Sequence, residues 1–397
     1  MPQGEAWSAD LREYIFDRWQ TVARRYAFQV YDGPPVEPLE LFTKKSGDEI
    51  VGQLYNFTDK GDRAVSLRPE MTPTVARMVA ARERHYKKPI KWYSVPQLFR
   101  YERQQKGRLR EHFQFNADIF GETDPASDAE LIALLIDLLR AFELTAEDFV
   151  IRLSSRNAWQ DFFNEHCADE SKAYDFYQAV DKLERAKPEE SDARLNALGF
   201  SLEQVRAFID GGEPTDELQA VLDNLHARGL GDFVKIDYNV IRGLAYYTGI
   251  VYEAFDRHGK FRAIAGGGRY DQLVSLVSDG KNDVPGAGFA MGDVVLAELL
   301  KNRGLVPEFT AALDAVAIIE DESLRPETLA LVHVLRDEGW HVDYSVVPLK
   351  SDKQFKRALE CGARFTVRLE DAKSAKLKNL ETREEQSLAP GEVSAKL

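Results

Sequence analysis

Apolar residues recur at helical spacing across residues 10–26, where Leu11, Tyr14, Ile15, Trp19 and Val22 fall on one face. Gly33-Pro34-Pro35 ends this helix and turns the chain into extended structure. Strand-like runs follow at 53–57 and 64–67, the second ending on Arg68-Pro69-Glu70, and 72–81 reads as helix. Residues 90–120 are strand-rich, with a polar turn at Gln104-Gln105-Lys106-Gly107. Ser127-Asp128-Ala129-Glu130 has the capping-box pattern, opening a helix through Phe142. Residues 149–153 are β-prone.

From about 159 to 230 the character changes. Acids and lysines dominate and the period is helical, so this stretch reads as a helical insertion within a β-rich domain. Strand signals return at 234–237, 248–255 and 261–265, and a helix at 295–300 closes the region. Gly304-Leu305-Val306-Pro307-Glu308 is a candidate linker. Beyond it, strand alternates with helix: 315–319, 326–338, 341–345, 353–361 and 364–369. That alternation predicts a small α/β domain with a mostly parallel sheet. The expected division is a core over 1–306 and a second domain over 312–397.

The chain has 397 residues, 44% hydrophobic and 30% charged, enough for one large core and a smaller one. No apolar run is long enough to span a bilayer, and no membrane association is expected. The N-terminal residues show no secretory or organellar leader, and Cys167 and Cys361 stand far apart with no CxxC. A reducing cytoplasm fits, and no protein metal site is expected. The net charge of −14 argues against a general nucleic-acid binder, so any RNA contact must rest on local basic patches.

The segment with most chemistry runs from Phe99 to Gly121. As two antiparallel strands joined at Lys106-Gly107, its second strand puts Arg108, Arg110, His112, Gln114, Asn116 and Asp118 on one face. Leu109, Glu111, Phe113, Phe115, Ala117 and Ile119 take the other and pack on the core. Two readings of the polar face stay open on the residues alone: a solvated sheet face, or a floor for a triphosphate and a small amino acid. Arginines clamp phosphates, an imidazole stacks on a base, Glu102 accepts from an exocyclic amine, and Gln114 and Asp118 take an ammonium or imidazole.

Four further segments are shorter: Arg68-Pro69-Glu70-Met71-Thr72, Arg242-Gly243-Leu244-Ala245-Tyr246-Tyr247, Gly266-Gly267-Gly268-Arg269-Tyr270-Asp271, and Gly286-Ala287-Gly288-Phe289-Ala290-Met291-Gly292. Three have a plain structural reading alone: a helix start, a tyrosine pair beside an exposed arginine, and a glycine-rich turn; the fourth lacks the G-x-G-x-x-G spacing of a dinucleotide-binding turn.

Together, in this order, the segments resemble those of histidyl-tRNA synthetases, a family of class II aminoacyl-tRNA synthetases. The resemblance runs from about Tyr26 to Leu300 and continues loosely beyond. It implies an α+β catalytic core, an antiparallel sheet flanked by helices, with a helical insertion and a C-terminal α/β anticodon-binding-like domain. It implies histidine, ATP with Mg2+, and tRNA(His) as ligands, and, from Pro35 in the first motif, a homodimer. Carried over, Arg100 binds the α-phosphate, Glu102 the adenine amine, and Arg108, Arg110 and His112 the rest of the nucleotide. Arg242 reaches the reacting carboxylate and α-phosphate, a fixed charge where the transition state develops charge. Glu70 and Thr72 hold the substrate ammonium. Gln114, Asp118, Tyr246, Tyr247 and Tyr270 line the histidine pocket.

Three positions depart from the family pattern. Val295 stands where an arginine packs on ATP, Ala245 where an aspartate is usual, and His112 where an aromatic is usual. A non-catalytic paralogue, the histidine-sensing regulatory subunit of ATP phosphoribosyltransferase, is the alternative reading. Val295 favours it. The intact Arg242-Gly243-Leu244 with both tyrosines, the paired Arg108 and Arg110, and the C-terminal α/β domain count against it. In that domain Lys350, Lys353, Lys356 and Arg357 form a local basic edge.

Overall fold

The computed structural model describes residues 9–43, 51–102, 109–184, 186–241, 246–309 and 313–397. The chain divides into two compact units, Met1–Val306 and Pro307–Leu397.

The strands of the first unit are β1 (Gln29–Val30), β2 (Val36–Pro38), β3 (Tyr55–Thr58), β4 (Ala64–Leu67), β5 (Ile90–Ser94), β6 (Gln97–Phe99), β7 (Glu111–Phe120), β8 (Phe149–Ser155), β9 (Val234–Ile236), β10 (Ile250–Asp256), β11 (Ala265–Arg269) and β12 (Gly286–Gly292). Among the described residues, nine of them form one sheet, ordered β1-β5-β7-β12-β11-β10-β8-β9, with β6 paired to the start of β7. Every pairing from β5 through β8 is antiparallel, and β1 and β9 join the edges in parallel. β2, β4 and β3 make a separate antiparallel sheet. This is an α+β unit built on an antiparallel sheet.

The period of two in β7 sorts its side chains as expected. Phe115, Ala117 and Ile119 are buried with Ala287, Phe289 and Met291 of β12. Two helices cover this face. Helix Ala9–Arg25 buries Leu11, Ile15, Trp19 and Val22, and the Trp19 ring sits 5.8 Å from Phe115. Helix Ala126–Arg140 buries nearly its whole apolar surface. Each large apolar side chain placed here contributes about 1.5–3 kcal/mol. The Tyr26 hydroxyl donates to Asp137 at 2.6 Å and ties the two helices together.

Two details differ from the sequence pattern. The Ser127 capping box does not form, because the helix already begins at Ala126. Asp124 accepts the Ala126 N–H at 2.8 Å instead, and Ser127 Oγ donates back to the Asp124 carbonyl and accepts from Arg269. The strand expected at 261–265 lies further on. The glycine triplet, read as a turn, is the strand β11 itself. Its centre admits nothing larger: a Cβ on Gly267 would lie 2.4 Å from the Gly288 carbonyl oxygen.

Between β8 and β9 stand the helices Arg156–His166, Ala173–Asp181, Pro188–Leu198, Leu202–Gly211 and Asp216–Ala227. Trp159, Phe163, Phe176 and Phe200 fill the space among them. No described helix is long and apolar enough to cross a membrane.

The second unit has β13 (Ala315–Ala317), β14 (Val342–Tyr344), β15 (Phe365–Asp371), β16 (Ser374–Asn379) and β17 (Glu385–Leu388), with helices Arg325–Asp337 and Ser351–Glu360. β14-β13-β15 is parallel, as the alternation predicts. β16 and β17 then add antiparallel, so the sheet is half parallel rather than mostly so. A tight turn at Asp371, which accepts the Lys373 N–H at 2.7 Å, lets the chain fold straight back. In the basic edge, Lys356 lies 3.6 Å from Glu360 and Arg357 lies 2.9 Å from Asp343.

Arg269 locks the end of β11 to the start of helix Ala126–Arg140. Its guanidinium donates to Asp128, to Ser127 Oγ at 2.8 Å, to Asp271 at 3.2 Å and to the Glu122 carbonyl at 3.0 Å. Burial raises the Asp128 carboxyl to about 6 even with this partner. Arg269→Ala therefore leaves a buried acid without its counter-charge, a loss of about 3–5 kcal/mol. The expected result is a lower urea midpoint, partly recovered when Asp128→Asn is added; equal midpoints for parent and single variant would refute it.

Candidate active site

The sheet face opposite the two helices carries the polar row of β7. Asp118 pairs across to Gly288 of β12, and Gly288 to Gly268 of β11. Asn116 pairs to Ala290 and on to Gly266. Partners directly opposite share a face, so glycines and one alanine make the floor beside the acids. A Cβ at Gly288 would lie 2.4 Å from Asp118 Oδ1 and 2.5 Å from the Tyr270 hydroxyl. A Cβ at Gly268 would lie 2.9 Å from the Tyr247 ring. The small residues make room for ionisable side chains.

At the deep end of this floor two buried acids each meet a tyrosine. Tyr270 donates to Asp118, which is 3% exposed. Tyr246 donates to Glu70, 5% exposed, at 3.0 Å. Glu70 lies just ahead of helix Thr72–Arg82, whose apolar face packs the pocket wall from behind. The rings of Tyr246, Tyr247 and Tyr270 are mutual neighbours, with centroids 5.0 to 6.4 Å apart. Asp118 Oδ2 is buried and has no hydrogen-bond partner among the described residues. Burial pushes the Asp118 carboxyl up to about 7, while the hydroxyl of Tyr270 pulls it partly back. Burial also holds Tyr270 and Tyr31 well above their usual range, with the charge of Asp118 next. Such a pocket suits a small ligand that brings positive charge and hydrogen-bond donors.

The shallow end opens into a cavity of about 320 Å³. Its lining includes Arg100, Glu102, His112 and Gln114, the floor positions Gly266, Ala290 and Gly292, and Arg262, Val294 and Val295. Arg100 donates from Nε to the Pro69 carbonyl at 2.9 Å, one residue before Glu70, so the cavity and the acid pocket adjoin. Along β7, Gln114 and Asp118 stand about 13 Å apart at the rise of a strand. Burial first, and then the charge of Arg100, lowers His112 to about 3. Its ring is a neutral, flat aromatic at neutral pH. Among the described residues no cluster of three or more His, Cys, Asp or Glu side chains could hold a metal.

Glu70, Asp118, Tyr246, Tyr247 and Tyr270 thus come together in one pocket, and Arg100, Glu102, His112 and Gln114 in the cavity beside it. Thr72 is the half-buried first residue of its helix. Arg110 does not line the cavity: it is exposed, stacks 4.2 Å over Tyr101, and donates to the Glu102 carbonyl. The reason is that it precedes β7, where the strict alternation of sides begins. Arg108, Arg242 and Ala245 lie outside the described residues. Two residues escaped the sequence reading. Tyr31, its buried hydroxyl without a hydrogen-bond partner among the described residues, comes near Asp118 from the edge strand side, and Arg262 reaches the cavity from the segment before β11. Neither sits in a motif, and only their neighbours in space mark them.

Residues 7–293 match the family model described as histidyl-tRNA synthetase. The chain belongs to the histidyl-tRNA synthetase family. A histidine–tRNA ligase of Opitutus terrae is 45% identical, over 97% of this chain and 93% of that protein. A crystal structure of histidyl-tRNA synthetase from Nostoc shares the fold with a TM-score of 0.78 at 24% identity, covering 100% of this chain and 96% of that one. A Bacillus halodurans structure titled as an ATP phosphoribosyltransferase regulatory subunit/histidyl-tRNA synthetase shares it at 0.73 and 19% identity, over 90% of this chain and 94% of that one. The Asp293 of this family member, in Gly292-Asp293-Val294-Val295, is buried and accepts the Phe113 N–H at 3.1 Å, pinning β7 to helix Asp293–Arg303.

A carboxyl raised on folding stabilises the protein below its unfolded value and loses that contribution as pH rises through the folded one. For Asp118 the window runs from about 4 to about 7. Asp118→Asn removes the ionisation. The variant should melt above the parent at pH 8 and beside it at pH 4, by calorimetry. Asp128 and Asp293 titrate in both proteins and cancel in the difference. A gap that does not widen with pH would contradict the assignment.

Proposed function

We propose that this chain activates histidine with ATP and transfers it to the 3′ end of tRNA(His). The observation that carries the reading is the pair of buried acid–tyrosine contacts, Asp118–Tyr270 and Glu70–Tyr246, adjoining a cavity with Arg100, Glu102 and neutral His112. Histidine brings an ammonium and an imidazole, the groups two buried carboxylates favour. Glu70, with Thr72, takes the ammonium. Asp118 and the tyrosine rings take the imidazole, and Gln114 lines the cavity end of the histidine pocket. With the amino acid seated there, its carboxylate points toward Arg100 and the cavity.

In the first step a carboxylate oxygen of histidine attacks the α-phosphorus of ATP. The new oxygen–phosphorus bond forms as the bond to pyrophosphate breaks, giving histidyl-adenylate. Arg100 holds the α-phosphate, and Arg242, by resemblance, neutralises the charge of the transition state. Arg108 takes the outer phosphates by resemblance, and Glu102 the adenine amine. Arg110 would act from outside the cavity described. Magnesium arrives with the β- and γ-phosphates rather than in a protein cage. In the second step the terminal ribose hydroxyl attacks the acyl carbon and AMP leaves.

The 307–397 unit would bind the anticodon, its basic edge meeting phosphate. A homodimer through the Pro35 segment and a cytoplasmic location complete the reading. Cys167 and Cys361 are unpaired, which accords with a reducing compartment. The regulatory-subunit alternative is not favoured, since the ligase relatives match the chain along nearly all of its length, its second unit included.

Histidine-dependent ATP–pyrophosphate exchange tests the proposal, with Arg242→Ala as control. Exchange should require histidine and fall at least about a hundredfold in the control, the scale of one transition-state contact. Histidine binding without exchange would instead establish a sensor.

A further inference from the structure

Val295 leaves the cavity wall without a cation at the helix that follows β12. Its side chain is half-buried and packs partly against the main core. The same cavity receives Arg262 from the β10–β11 connection. The backbone there is fixed: Ile264, two residues on, donates its N–H to the Ala254 carbonyl at 2.8 Å, and β11 begins at Ala265. We propose that Arg262 is a further nucleotide-binding cation of this site, supplied by the strand connection where the helix carries Val295. The inference rests on the nucleotide reading of the cavity given above.

Charge balance is the argument. Among the described lining residues Arg100 and Glu102 are of opposite sign and offset each other. His112, lowered to about 3 by burial and by Arg100, adds no charge. Arg262 is the other arginine among the described lining residues, in addition to the Arg108 and Arg242 of the reading above. It lines the same cavity as Arg100, with Gly266, Ala290 and Gly292. A guanidinium suits this place for a second reason: it can fork onto phosphate oxygens or lie flat on a base, which an ammonium cannot do. The apolar Val294 and Val295 beside it complete a wall that a purine can lie against.

The test is calorimetric ATP binding and pyrophosphate exchange in wild type, Arg262→Ala, Arg262→Lys and the double variant Arg262→Ala/Val295→Arg. Loss of one charge-assisted contact should weaken ATP about tenfold to a hundredfold in Arg262→Ala. The KM for histidine and the melting temperature should hold. Lysine should restore only part of the affinity, and Val295→Arg should recover affinity in the double variant by returning a cation to the same cavity. Unchanged ATP affinity in Arg262→Ala would overturn the proposal. So would a parallel loss of ATP affinity, histidine affinity and thermal stability without recovery by Val295→Arg, which would mark a structural role. Wild type that binds ATP through Arg262 but shows no exchange would sink the ligase reading and leave this one standing.

Discussion

Asp118 and Tyr270 can share the space above Gly288 only because that position has no side chain. The close approach of β7, β12 and β11 at this point sets the rest of the site. Glycine in the interior of a strand is a local cost, since it adds backbone freedom to the unfolded chain and packs nothing. Here the cost is met by the other face, where Phe115, Phe289 and Met291 seal the same strands against two helices. The sheet is held from behind so that its front can be hollow.

The hollow front concentrates electrostatic work. A carboxylate withdrawn from water is unfavourable without a partner. The protein gives Asp118 and Glu70 hydroxyl donors, which satisfy part of each carboxylate without neutralising it. At Asp118, Oδ2 is still buried without a hydrogen-bond partner among the described residues. A buried acid of this kind costs the empty protein stability, and functional sites are where such acids gather. Arg269, one residue before Tyr270, shows the contrasting solution. Its counter-charges are supplied by the protein itself, so it braces the fold and has nothing left to offer a ligand.

The sequence made much of this legible, and unevenly. Alternation in β7 was readable because its two faces differ sharply, His112, Gln114, Asn116 and Asp118 against mostly apolar residues. Strands β11 and β12 were not, because a period of two needs side chains to carry it and glycine has none. The same absence turned a strand into an apparent turn. Helix starts read from short polar patterns slipped by a residue or two, since Asp124 outcompeted Ser127 for the first free N–H. Strands β16 and β17 are short and highly charged, and their pairing depends on a turn that local preference only weakly marks. Of the site, the pocket acids and tyrosines were named through motifs. Arg262 and Tyr31 were not, for a lone arginine on a connection and a tyrosine near an edge strand carry no signal until the fold brings them to the cavity and to Asp118.

The departures from the family pattern form a consistent set when viewed in space. His112 replaces an aromatic, yet burial and the charge of Arg100 keep its ring neutral, so its physical character is that of an aromatic. Val295 removes a cation from the helix and makes the wall apolar. Asp293, beside it, is turned inward to accept the Phe113 N–H and so serves the joint between strand and helix. With the helix given over to packing, positive charge has to reach the cavity from another element. Arg100 comes from the β6 side and Arg262 from the β10–β11 side, so the charges of this site are carried on connections between strands, while the helix supplies shape.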